Sequence, residues 1–147
     1  MDRGASVMLT AAAGGLIALQ APINSTLGRS VGTFQAAFLS FAIGTVALTI
    51  IAALAKGGLG QVGEARTLAW QYLCGGLLGA VYVTSVLVTV RTLGAGGVTA
   101  ATIAGQLSLS VAVDHFGWLG VDRSPVTVPK IVGIALLAAG VFLIVRD

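Results

Sequence analysis

Residues 96–113 read GGVTAATIAGQLSLSVAV, eighteen residues without a charge. A helix that crosses a bilayer needs roughly 20 mostly apolar residues, so this stretch has the length and composition of one crossing. Its polar residues are not scattered. Thr99, Thr102, Gln106 and Ser110, continued by Asp114, recur every three or four positions. At 100° per residue they fall within an arc of roughly 120°, one polar stripe along one side. Gly96, Ala100, Ala104, Ser108 and Ala112 form a small-residue ribbon on the opposite side. Small residues let helix backbones approach closely in lipid, so one face reads as packing and the other as meeting something polar.

Working outward, four more apolar runs appear, at about 5–23, 33–55, 69–90 and 128–145. Of the 147 residues 56% are hydrophobic and 9% charged, with a mean hydropathy of +1.00. Soluble domains carry roughly 25% charged residues, too many for this chain to resemble one. The expected fold is an all-α membrane protein, a bundle of about five transmembrane helices forming a single transmembrane domain over residues 1–147. Arg3, the apolar run after it and Ala18-Leu19-Gln20-Ala21 follow the outline of a signal peptide. That run is long and four others follow, so it reads as a retained span. The net charge of +3 does not point to nucleic acid, because the basic residues sit singly at the ends of apolar runs. On alternate sides the basic residues divide into Arg3, Lys56, Arg66, Arg123 and Lys130 against Arg29, Arg91 and Arg146. This small excess favours a cytoplasmic N-terminus, and it also suits a chain that inserts in both orientations.

The remaining runs supply fewer polar groups. Gln71, Cys74, Tyr82, Ser85 and Thr89 share one face of the third, and Tyr82 is an aromatic candidate for a solute path. Interhelical hydrogen bonding accounts for that face equally well. In the first run Gln20-Ala21-Pro22-Ile23-Asn24-Ser25-Thr26 reads as a kinked, amide-rich helix end. Proline frees a carbonyl, and Gln20 and Asn24 lie on one face, as a solute-binding end would need. Phe34, Phe38 and Phe41 in the second run read as packing or lipid contact, and 131–145 has no polar side chain. Gln106 is the strongest path candidate, since its amide has donors and an acceptor that its own helix cannot satisfy. Thr102 and Ser110 flank it, although hydroxyls also bond back to their own helix. Asp114-His115 has two readings, a proton relay or an interfacial helix-end pair. Phe116, Trp118 and Leu119 after it suit the headgroup level.

Enzymatic chemistry finds no support. There is no GxxxxGK[ST] phosphate loop, His115 is the single histidine and Cys74 the single cysteine. No cofactor, metal site or catalytic residue is expected.

Ala21-Pro22-Ile23-Asn24 with Leu27-Gly28, Gly105-Gln106-Leu107, and Asp114-His115-Phe116-Gly117-Trp118-Leu119-Gly120 resemble the YdcZ-like inner-membrane proteins of the drug/metabolite transporter superfamily. The resemblance covers nearly the whole chain and implies a prokaryotic inner-membrane protein of about five helices. It implies one half of a ten-helix transporter built from two inverted halves, moving small metabolites or toxic organic compounds. The four-helix multidrug transporters of that superfamily rely on a glutamate in their first helix. No acid lies in the first apolar run here, so that coupling site does not carry over. The expected partners are the lipid bilayer, a small organic solute, and a second copy or a homologous five-helix chain. An antiparallel pair would rebuild the inverted repeat. A non-transporting accessory subunit is the alternative, and a channel ranks third because no mid-membrane acid ring or carbonyl filter pattern occurs.

Overall fold

A computed structural model describes residues 2–56 and 58–146, so Gly57, just after the expected run 33–55, lies outside the described residues. The architecture is all α. Helix α1 spans Arg3–Val31, α2 Thr33–Leu54, α3 Gly75–Phe116 and α4 Val128–Val145, with short 3-10 segments at Gly60–Thr67, Trp70–Leu73 and Trp118–Gly120. Among the described residues four helical segments are long and apolar enough to cross a membrane, and the third, Trp70–Phe116, is 47 residues long. At 1.5 Å per residue a straight rod of that length would reach about 70 Å against a hydrocarbon core of about 30 Å. It is not one rod. Gly94 breaks it at φ 67, ψ 170, a conformation only glycine takes readily. The arms 75–93 and 95–116 each have about the length of one span, which makes five crossings in all.

Local chemistry accounts for the ends. Asp2 caps α1, its side-chain oxygen accepting from the Ala5 N–H at 2.7 Å, and its charge suits the positive end of the helix dipole. Gly32, at φ 98, separates α1 from α2. Gly117, in the left-handed region, ends α3. Pro129 lies in the first turn of α4, where its missing N–H costs nothing.

Three boundaries differ from the sequence reading. The first helix does not end near Ile23 but continues through Pro22 to Val31. A helix carries its own hydrogen bonds through hydrocarbon, and ending it there would strand several carbonyls where proline strands one. The third begins with the 3-10 turn Trp70–Leu73 and not as α-helix from Ala69, a common form of helix start where the first N–H groups have no helical partner. The fourth passes Asp114 and stops at Phe116, because both ionisable residues can stay helical at the interface until a glycine supplies the left-handed cap.

The chain divides into two compact units, one up to Val88 and one from Thr89. In the first, Ala36 and Ala37 of α2 meet Val83 and Leu87 of α3, with Leu27 and Tyr82 packed around them. Ala36 and Leu87 are fully enclosed. Phe41 lies over Gly79, where an added Cβ would come within 3.3 Å of its ring. In the second, Gly97 lets Val145 of α4 come close, 3.5 Å from where a Cβ would stand. Many large apolar side chains face outward, Phe34, Phe38, Leu54, Leu136 and Phe142 among them. In water such a surface would be untenable; in lipid it costs nothing.

Candidate functional site

The polar stripe of the second arm of α3 opens onto a groove. Gln106, Leu109, Ser110, Val113 and Asp114 form its floor, and Val121, from the loop after the helix, stands at its edge. The groove is open and has a volume of about 350 Å³. Gln106 and Ser110 are exposed, whereas Thr99, Thr102 and Asp114 are half-buried. Among the described residues the Gln106 side chain has no hydrogen-bond partner. An unpaired amide within a membrane span is costly against acyl chains and cheap against water or a polar solute. On the other face of the arm Ala100 is buried and Ala104 and Ala112 half-buried, while Gly96 and Ser108 are exposed.

The other candidates divide by what they already do. Asn24 is buried and its Nδ2 donates to Ser40 Oγ of α2 at 3.1 Å. This amide joins two helices, and with Ser25 and Gly28 it lies on the covered side of α1. Gln20, four residues earlier, points outward into a shallow groove with Leu16, Ile17, Leu19 and Ile23. Tyr82 is half-buried beside the core of the first unit. Several hydroxyls bond back to their own helix: Thr45 to Phe41, Ser85 to Val81 and Ser108 to Ala104, each at 2.8 Å.

Asp114 and His115 belong to a cap that sequence reasoning did not foresee. The loop 117–127 folds back over the end of α3. The Ser124 N–H donates to the Asp114 carbonyl at 2.8 Å, Arg123 Nε donates to the His115 carbonyl at 3.0 Å, and the Val126 N–H donates to His115 Nδ1 at 3.2 Å. Lys130, from the first turn of α4, donates to Ser124 Oγ at 2.8 Å and to the carbonyls of Ser124 and Pro125. The cation Arg123 thus serves a carbonyl in the last turn of α3, the favourable helix end for positive charge. Gly117 makes room, since its Cβ would lie 3.5 Å from that of Arg123. Phe116 stacks on Trp118 and meets His115 edge-on, with centroids 4.8 and 4.9 Å apart. The sequence held one signal for this cap, an arginine and a proline soon after the expected helix end.

Among the described residues no group of histidine, cysteine and acidic side chains could hold a metal ion. No curated protein and no solved structure matches the chain. Residues 5–143 match the family described as "Putative inner membrane exporter, YdcZ". Long apolar helices with outward-facing leucines and phenylalanines fit a multi-pass membrane protein. With the match running over almost its full length, the chain belongs to the YdcZ family of inner-membrane exporters.

Proposed function

We propose that the protein is a secondary exporter of small organic solutes and works as an antiparallel pair. The observation that carries this reading is the groove on α3, where the unpartnered Gln106 lies with Ser110 and Asp114 at its wall. Thr102 continues the same face. Asn24 holds α1 to α2 through Ser40 and thereby supports the face that carries Gln20.

Five spans place the two termini on opposite sides of the membrane, and one copy has few helices for a path gated at both ends. A second copy in the opposite orientation supplies the inverted repeat on which alternating exposure of a midplane site depends. Gln106 is near the middle of its arm, so the groove of each copy lies at similar depth in either orientation. The Asn24–Ser40 bond favours a second reading, an accessory subunit whose polar residues only join helices. It predicts a homologous partner chain and no transport by either chain alone.

The experiment is uptake into proteoliposomes across a panel of labelled organic cations, amino acids and metabolites, with and without a pH gradient. The wild-type protein moves at least one of them in a gradient-dependent way. Gln106→Leu folds, because the side chain is exposed, and loses tenfold or more of that rate, about 1.4 kcal/mol or more of barrier. Normal transport by a folded Gln106→Leu removes the residue from the path.

A further inference from the structure

The groove on α3 carries charge of one sign. Among the described residues that line it Asp114 is the ionisable one, and none is a lysine, arginine or histidine. The nearby cations face carbonyls instead. Arg123 Nε donates to the His115 carbonyl, and Lys130 Nζ donates to the Ser124 hydroxyl and to the carbonyls of Ser124 and Pro125. Among the described residues the Asp114 carboxylate has neither an ion pair nor a hydrogen bond. Asp114 also stands in the last turn of α3, at the negative end of the helix dipole, where the helix adds to its charge and does not offset it.

The rest of the lining sets the shape and polarity of what fits. Leu109, Val113 and Val121 are apolar, and Gln106 and Ser110 offer a neutral amide and a hydroxyl. Gln106 and Asp114 are eight positions apart, which is about 12 Å along the axis at about 1.5 Å per residue. Ser110 lies halfway between them.

We propose that the groove takes an elongated organic monocation, its charged head at Asp114, its apolar body across Leu109, Val113 and Val121, and a hydrogen-bonding group at its far end on Gln106. This rests on the groove being the solute site and adds the class of solute. One carboxylate balances one positive charge, and a second charge on the solute would find no partner in the groove. An anion meets Asp114 as a like charge, which selects against it. A zwitterion such as an amino acid brings a carboxylate for which the groove supplies no cation.

The test is equilibrium dialysis in a non-ionic detergent, without a gradient, using three probes that differ in charge. They are hydroxyhexyl-trimethylammonium, its uncharged isostere ending in tert-butyl, and hydroxyhexanesulfonate, each corrected for detergent alone. The wild-type protein is expected to bind the ammonium about fivefold more tightly than the isostere, the upper end for a solvent-accessible ion pair, and the sulfonate least. Asp114→Asn removes that preference and leaves the affinity of the isostere unchanged, which also shows that the variant folds. Asp114→Glu keeps the preference, and so does Asp122→Asn, whose carboxylate is outside the groove. Gln106→Leu weakens the ammonium and the isostere alike. Equal wild-type affinity for the ammonium and the isostere overturns the assignment, as does a preference that survives Asp114→Asn. Since no transport is measured, that failure is distinct from a failure of Gln106-dependent export, which the proteoliposome assay reads.

Discussion

The amides of Asn24 and Gln106 have the same chemistry in two different surroundings. Asn24 lies buried with a partner on the next helix, and Gln106 lies exposed without one. Interhelical hydrogen bonds in membranes average about 0.6 kcal/mol and reach about 1.7. Asn24→Ala and Ser40→Ala should each cost that much in reversible detergent unfolding, and the double variant should fall short of the sum by about 0.6 kcal/mol. Strict additivity would mean that the bond contributes nothing. The sequence could rank Gln106 by its unsatisfiable amide, but it could not separate the two roles. Whether an amide meets a neighbour depends on how α1 packs on α2, and the spacing of Gln20 and Asn24 is silent on that. The same limit hid the cap, whose bonds join His115 to residues eight and eleven positions away in an irregular loop.

For the helices, hydropathy places the spans and glycine places the breaks. Gly94 takes a conformation closed to other residues, yet a Cβ built there meets nothing within 4 Å. Gly94→Ala therefore isolates the backbone cost, about 1 to 3 kcal/mol. Gly96→Ala, two residues on in regular helix and with equal free space, should be neutral or mildly stabilising. Equal effects on thermal unfolding in detergent would show that the break at Gly94 is not set by its φ. The fold class was legible because long uncharged runs have few solutions other than membrane helices. The end of α1 was not, because Pro22 signals a stop in water. Across lipid the helix continues, since nothing outside it can take the freed carbonyls.

Over the whole molecule, the outward leucines and phenylalanines make the bilayer the solvent, and the family match makes the protein an inner-membrane exporter. The antiparallel pair adds a topological prediction. Ser30→Cys, in the last turn of α1, and Leu59→Cys, beyond the end of α2, each on a Cys74→Ser background, flank α2 and leave every charge in place. An impermeant thiol reagent should reach each position from both faces of the membrane. Labelling from one face only, with no homologous partner chain present, would exclude pairing of opposite orientations in this protein. The central claim is narrower than the pairing: the groove at Gln106 is wet within the membrane. Its most direct measurement is the reaction of Gln106→Cys, again without Cys74, with a hydrophilic and a lipid-soluble maleimide in sealed vesicles. Rapid modification by the hydrophilic reagent is the predicted result. Modification by the lipid-soluble reagent alone would place the side chain against acyl tails and contradict the account.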